Sequence, residues 1–252
     1  MPQIDVQKFY NSVEQALEAG QFAPIYFFYG DEPYLISQAL NYIKTCALHG
    51  GAADFNFTSF YSSEMNLDRV CDEIETLPMM ASRRVIVLKE VQDISDKKWP
   101  CLEPLIEKPV YSSVFILIGS KIDKRRRIFK LLLGKAISVE FKKPFENQIP
   151  GWIRRICKLH NLTIYDDALQ RLHRLVGNQL SEIENEVQKL QAFLGERNEI
   201  SLEDVLKCVS HRREESVFDL TASFALGNRV ESLEHLVQLL DQGQNEVGIV
   251  QM

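Results

Sequence analysis

The sequence lacks the features that would assign it at once to a membrane, secreted or metal-binding class. None of its apolar runs approaches the ~20 residues needed to cross a bilayer, and its first residues do not follow a secretory pattern. Its five cysteines are scattered without a C-x-x-C pair, and its five histidines are equally dispersed. We therefore expect reduced thiols in a cytoplasmic protein, with no zinc site and no membrane partner.

A strongly basic surface is also lacking, because the net charge is −6 over 252 residues. This balance argues against a protein whose whole surface coats nucleic acid, so any DNA contact must be local. The most basic run is 121–127, and its consecutive cations are Lys124, Arg125, Arg126 and Arg127. Contact of these four with DNA phosphates is one hypothesis. A solvated helix start is the favoured interpretation, because no aromatic residues interleave with the cations.

Alternating apolar runs and helical patterns dominate the first ~140 residues, which is typical of an α/β domain. The patterns predict strands over 25–29, 55–60, 85–88, 114–118 and 137–141, and helices over 6–19, 34–47, 67–75, 97–107 and 124–133. Several strands are nearly continuous apolar runs, which indicates a parallel sheet buried on both faces. Right-handed crossovers then give a doubly wound sheet of about five strands.

The pattern changes near 142–145, after which no convincing strand appears and helices dominate. Helices are predicted over 146–159, 166–176 and 180–193, from Ser201 as an N-cap, and, after a charged linker at 210–215, over 217–225 and 231–241. The predicted domains are therefore 1–142 (α/β), 143–210 (small and helical) and 211–252 (the start of a further helical unit).

The turn at residues 30–33 stands where a phosphate-binding loop would lie, between an apolar run and a helical pattern. Such a loop needs a second glycine and a Lys-Ser/Thr pair, but Asp31 and Glu32 occupy this turn and would repel a triphosphate. We therefore predict an ATPase-like frame without a nucleotide cofactor. A local interpretation has equal weight, with Asp31 as helix N-cap and Pro33 in the first turn. Spacing alone defines no catalytic residues.

Five segments in a fixed order resemble one protein family: 24–35, 77–87, 141–153, 177–190 and 200–220. They are similar to the delta subunit of the bacterial DNA polymerase III clamp loader. The resemblance implies an AAA+-like three-layer α/β domain without a functional P-loop, a small helical lid domain and the first helices of a collar domain. Family members normally continue through a longer collar, so joining the five-subunit collar is in question for this chain.

The resemblance also implies a function in DNA replication. The chain would bind and open the sliding clamp (the beta subunit) for loading on primed DNA, which it would reach through the assembly. Its partners would be the gamma/tau and delta prime subunits in a heteropentamer. The assembly serves a DNA-directed DNA polymerase, a nucleotidyltransferase, although no catalytic residue is expected in this chain.

The segment around Pro78 is the candidate site. The family's anchors are a hydrophobic residue, a spacer and two further hydrophobics, which carry over to Leu77, Met79 and Met80, with methionines where leucine and phenylalanine are more usual. An apolar cluster at a loop tip either folds back or waits for a partner, and methionine adapts to an irregular pocket. The alternative is that these residues cap the hydrophobic core.

Two functions from other classes remain as alternatives. One is a degenerate AAA+ nucleoside triphosphatase, which the missing Lys-Ser/Thr pair after Gly30 disfavours. The other is a DNA-binding replication or repair adaptor that acts through residues 121–127, which the acidic balance disfavours. Neither explains an apolar loop tip.

Overall fold

In the computed structural model of the chain, the described residues are 3–4, 21–48, 53–63 and 66–209, with residues 13 and 18 and short pieces between 220 and 237. The chain divides into two compact units, residues 1–143 and 144–252. The predicted helices over 6–19, 217–225 and 231–241 lie largely outside the described residues, and the three-domain partition remains a prediction. No helix of the described residues is long and apolar enough to cross a membrane.

The first unit contains a six-stranded sheet in which every neighbouring pair is parallel. Its strands are β1 (Gln3–Ile4), β2 (Ile25–Gly30), β3 (Phe57–Tyr61), β4 (Arg84–Lys89), β5 (Ser113–Gly119) and β6 (Ile137–Phe141). Their order across the sheet is β1-β6-β2-β5-β4-β3. The five predicted strands are confirmed. The edge strand β1 was not anticipated, because two residues carry no periodicity.

Among the described residues of this unit, the α-helices are α1 (Pro33–Ala47), α2 (Leu67–Glu75), α3 (Glu103–Glu107) and α4 (Arg127–Lys135). The central strands β2, β4 and β5 are buried almost throughout, as expected for a parallel sheet covered on both faces. Aromatic stacking fills the core: the ring of Phe27 lies 5.0 Å from Tyr29 and 6.0 Å from Phe129 between centroids.

Three predicted elements of the first unit differ from the structure, each for a local reason; in the second unit, residues 146–148 of the helix predicted over 146–159 form a 3₁₀ turn. Residues 53–56 form a 3₁₀ helix, so β3 begins only at Phe57. The single helix predicted over 97–107 is a 3₁₀ turn at Trp99–Cys101 followed by α3, since prolines at 100 and 104 each stand in a first turn. Helix α4 begins at Arg127 rather than 124, because the Arg126 amide closes a turn on the Asp123 carbonyl at 3.0 Å.

The second unit is mainly helical, with α5 (Ile149–Leu159), α6 (Asp166–Val176), α7 (Leu180–Leu194) and α8 (Leu202–Cys208). Ser201 caps α8 as predicted, and it forms a capping box with Asp204. The prediction that this region has no strand is wrong, because β7 (Thr163–Ile164) and β8 (Glu199–Ile200) form a short parallel pair. Both are two residues long and precede helices, so helical periodicity conceals them.

Candidate functional site

The candidate site is the loop of residues 76–83 that joins the end of α2 to the start of β4, called the tip loop below. Helix α2 ends because Thr76 takes an extended conformation, with φ −68° and ψ 132°. The backbone amide and the hydroxyl of Thr76 both donate to the Asp72 carbonyl, at 2.9 and 2.7 Å. Pro78 follows and prevents any continuation of the helix.

Leu77, Met79 and Met80 all lie in this loop with exposed side chains. Their exposed fractions are 76%, 55% and 90%, respectively. The hypothesis that they cap the hydrophobic core does not fit these values, because a core residue of this size is normally buried. The tip loop therefore presents three large apolar side chains to solvent within four positions.

The base of the tip loop is anchored on both sides. At the end of α2, the carbonyl of Ile74 accepts a hydrogen bond of 2.7 Å from the buried hydroxyl of Ser113. At the start of β4, the guanidinium of Arg84 pairs with the carboxylate of Glu73. Arg83 donates to the Tyr111 carbonyl at 2.8 Å. The two ends of the loop are thus held by strand β5 and its approach, so the exposed tip stands on a fixed base.

Within the loop, the side chain of Asn56 bonds to the backbone of Met79. Asn56 is fully buried, and its amide lies 2.8 Å from the Met79 carbonyl and 2.7 Å from the Met79 amide nitrogen. The next residue, Met80, has φ +51°, a left-handed conformation that is uncommon for a side-chain-bearing residue. Sequence reasoning missed Asn56, because it precedes the tip by 23 positions and was assigned to a strand.

Two exposed aromatic residues adjoin these anchoring points. Phe55, next to Asn56 in the chain, is 65% exposed, and Tyr111, whose carbonyl holds Arg83, is 71% exposed. Neither residue was singled out from the sequence, where Phe55 begins a predicted strand and Tyr111 lies between two predicted elements. They extend the set of apolar side chains available to a partner beyond the three in the tip loop.

The turn after β2 is built differently from a phosphate-binding loop. The amide of Gly30 donates to the Ser120 carbonyl and the amide of Asp31 donates to the Phe141 carbonyl, both at 3.1 Å. The Asp31 carboxylate accepts from the Lys143 amide at 3.2 Å. These amides are therefore already used within the chain, whereas a phosphate loop directs them at its ligand.

Glu32, not Asp31, caps α1, so the predicted capping residue is wrong. The Glu32 carboxylate accepts from the Tyr34 amide at 3.2 Å, and Pro33 occupies the first helical turn as predicted. Burial raises the pKa of this carboxyl above its ordinary value. The carboxylate is therefore used to cap α1, and residues 30–33 themselves contain no lysine or arginine.

The four cations of the basic run are each paired with a carboxylate. Lys124 lies 3.3 Å from Glu140, Arg125 3.0 Å from Asp123, Arg126 2.6 Å from Asp96 and Arg127 2.9 Å from Glu103. Arg126 also donates to two backbone carbonyls, which fixes the turn before α4. Ile128, Phe129 and Leu132 in that helix are buried. Contact with DNA through this run stays a prediction.

We searched the described part of the chain for groups of side chains that could hold a metal ion. Across residues 21–48, 53–63 and 66–209, no cluster of three or more histidine, cysteine, aspartate or glutamate side chains could hold a metal ion. The candidate site is a loop that exposes three large apolar side chains.

The order of the parallel sheet, followed by a small helical unit, defines an AAA+-like protein. The RuvB Holliday junction branch migration motor of Thermotoga maritima superposes with a TM-score of 0.51 at 14% identity, covering 94% of this chain and 86% of that chain. At this identity the likeness shows the fold alone. The turn after β2 does not have the glycine and Lys-Ser/Thr pattern of a phosphate-binding loop.

The relatives identify the family within this class. The profile of the DNA polymerase III, delta subunit family matches residues 26–142. The DNA polymerase III subunit delta of Bacillus subtilis is 30% identical over 248 residues, which covers 94% of this chain and 72% of that protein. The solved structure of the Bacillus subtilis DNA clamp loader delta protein superposes with a TM-score of 0.67 at 30% identity, covering 96% of this chain and 74% of that chain. The chain belongs to the DNA polymerase III delta subunit family.

Proposed function

We propose that this chain is the clamp loader subunit that binds and opens the sliding clamp during DNA replication. One observation carries the proposal: Leu77, Met79 and Met80 are exposed together on a loop whose base is anchored. Exposing three large apolar side chains disfavours solubility, so such a cluster is typical of an interaction surface. Membership in the delta family supports the sliding clamp as the partner.

The energies indicate a contact that needs more than its three anchors. Complete burial of three such side chains contributes on the order of 5–8 kcal/mol gross. Association costs at least about 4 kcal/mol in lost freedom of motion. A wider interface is therefore required, and the exposed carboxylates of Asp72 and Glu75, with Arg83, lie suitably for a polar rim.

The mechanism is a shift of population rather than a chemical step. The three anchors enter an apolar pocket on one subunit of the ring-shaped clamp and favour a conformation in which the adjacent ring interface is strained. The ring opens at that interface because this subunit binds the opened state more tightly than the closed one. The extent of opening is set by the difference between these two affinities.

The remaining steps belong to the assembly. ATP bound by gamma/tau subunits would control access to the tip loop, and delta prime would complete the heteropentamer in the cytoplasm. Primed DNA would be reached through the assembly, where the loaded clamp tethers the DNA-directed DNA polymerase. This chain would supply binding energy and no catalytic residue.

The test is binding of the purified chain to the sliding clamp from the same organism, measured by titration calorimetry. The wild type is compared with Leu77→Ala/Met79→Ala/Met80→Ala. The matched control is Leu206→Ala, which truncates a side chain that is 54% exposed in α8, outside the tip loop. We expect micromolar or tighter binding by the wild type and the control, and none by the triple variant.

Ring opening needs a separate readout. A fluorophore and a quencher placed across one clamp interface should separate when the wild type is added, and remain together with the triple variant. Absence of binding by a folded wild type, or equal binding by the triple variant, would overturn the proposal. Binding without separation of the fluorophore and quencher would limit the function to clamp attachment.

A further inference from the structure

A buried side-chain amide lies beneath the tip loop. Asn56 is 0% exposed, its Oδ1 accepts from the Met79 backbone N–H at 2.7 Å, and its Nδ2 donates to the Met79 carbonyl at 2.8 Å. Both polar groups of one residue at the tip are thereby paired with one side chain. We call this pair of hydrogen bonds the Asn56–Met79 bridge.

The bridge connects the tip loop to the edge of the sheet. Asn56 ends the 3₁₀ helix Ala53–Asn56 and directly precedes β3, which pairs with β4 from Phe57 opposite Val85. A side-chain amide presents a donor and an acceptor side by side, as one residue of an antiparallel strand does with its own N–H and C=O. Met79 is therefore held as if it were paired in the sheet, although it lies in a loop.

The residue that follows the bridge has an unusual backbone conformation. Met80 has φ +51°, and such conformations persist where the surroundings determine them, often at functional sites. Pro78 restricts φ on one side of Met79, and the bridge fixes Met79 itself. Met80 follows from this fixed point, and its side chain is the most exposed of the three anchors.

We infer that Asn56 is a positioning residue for clamp binding, which orders the tip loop before the partner arrives. The inference rests on the proposed function, since it concerns how the same three anchors are presented. A loop ordered in advance avoids an ordering cost at the moment of association. The apparent affinity falls in proportion to the fraction of molecules in the competent conformation.

The expected effect of breaking the bridge follows from this proportion. Asn56→Leu places an apolar side chain of similar size at this buried position. It removes the donor and the acceptor that Met79 uses. If the competent loop conformation is then populated in about one molecule in ten, the dissociation constant for the sliding clamp rises about tenfold. The association rate should fall with it, because fewer encounters meet an ordered loop.

The matched control is Asn66→Ala. Asn66 is also an asparagine whose side chain bonds to backbone, since it accepts from the Asp68 amide at 3.2 Å and caps the start of α2. Its loss weakens the same helix that leads into the tip loop, but it leaves the Asn56–Met79 bridge intact. A loss of stability alone should therefore appear in both variants, whereas a loss of clamp affinity should appear only in Asn56→Leu.

A second measurement needs no sliding clamp and no variant that could misfold. Amide hydrogen exchange by NMR reports the Met79 N–H directly, and the bridge should protect this amide in the free wild-type chain. In Asn56→Leu the same amide should exchange at least tenfold faster, and in Asn66→Ala it should keep its protection. An unprotected Met79 amide in the wild type would overturn the inference even if Asn56→Leu did not fold.

The outcomes separate this inference from the proposed function. Tight binding by the wild type and by Asn56→Leu, with no binding by the triple alanine variant, would overturn the positioning role and leave the function standing. Absence of binding by the folded wild type would overturn the function itself. Both would be supported by weaker binding of Asn56→Leu, unchanged binding of Asn66→Ala, and faster exchange of the Met79 amide in Asn56→Leu than in the wild type.

Discussion

Alanine substitution of Leu77, Met79 and Met80, one at a time, should weaken clamp binding in the order of their exposure. A side chain that is already partly buried in the free protein gains less when a partner covers it. Scaling about 2.2 kcal/mol for full burial by exposed fractions of 90%, 76% and 55% gives about 2 kcal/mol for Met80, about 1.7 for Leu77 and about 1.2 for Met79. These values correspond to dissociation constants raised about 25-, 15- and 7-fold.

The same exposure predicts almost no change in the stability of the free protein. Substitutions of exposed residues usually change the free energy of unfolding by less than about 0.5 kcal/mol. Each variant should therefore be assayed twice, by calorimetric titration with the sliding clamp and by urea denaturation without it. The backbone of Met79 is unchanged in Met79→Ala, so the Asn56–Met79 bridge should persist in that variant.

One pattern of results would refute this reasoning. If the alanine variants lose more than about 1 kcal/mol of stability while their clamp affinity equals that of the wild type, the three side chains stabilise the fold and do not bind the partner. A reversed order, with Met79 dominant over Met80, would mean that the partner buries the three side chains unequally.

Three further predictions concern the fold. Gly30→Ala should cost at least about 3 kcal/mol in urea denaturation, because φ is +139° and a Cβ would lie 2.0 Å from the Phe141 carbonyl oxygen; Gly151→Ala, where no such atom is near, should be stable. Hydrogen bonds from Arg197 and Ser201 lower the Asp204 pKa to about 2. The ionised carboxylate therefore stabilises the fold above about pH 4, and this contribution is lost as the pH falls towards 2. Asp204→Asn should flatten the pH dependence of the free energy of unfolding between about pH 4 and pH 2. Burial raises the Cys157 pKa to about 12, so iodoacetamide at pH 8 should label this thiol only after unfolding.

Much of the α/β unit could be predicted because its strands are buried on both faces. Continuous apolar runs such as that of β4 are typical of strands in a parallel sheet, and the structure confirms each of them as a strand. The two-residue strands β7 and β8 could not be predicted in the same way. Their pairing depends on a contact between segments 36 positions apart, for which the local sequence gives no pattern.

The position of the tip loop could also be predicted, but not how it is held. Pro78 and the end of the amphipathic pattern of α2 indicate a loop at residues 76–83, and the structure has one there. The Asn56–Met79 bridge forms only because the 3₁₀ helix before β3 and the tip loop meet at one edge of the sheet. Such a meeting is a property of topology and register, so Asn56 appeared in the sequence as an ordinary polar residue.

Mg²⁺-ATP should leave the thermal unfolding of the wild-type chain unchanged, which is the last prediction. A ligand that binds only the folded state raises stability with its concentration, so millimolar nucleotide would reveal even a weak site. The amides that a phosphate would need are bonded to the Ser120 and Phe141 carbonyls. The Phe141 carbonyl occupies the space beside Gly30, where a Cβ would lie 2.0 Å from its oxygen.

Asp31→Ser is the matched variant for this prediction, because it removes one carboxylate from the turn and leaves the backbone amides where they are. If charge repulsion alone excluded nucleotide, Asp31→Ser would gain a concentration-dependent rise in melting temperature. We expect no rise, because the Gly30 and Asp31 amides remain bonded to the Ser120 and Phe141 carbonyls. A rise in the wild type would mean that the turn exchanges its internal hydrogen bonds for phosphate, and the chain would then have to be considered a nucleotide-responsive subunit.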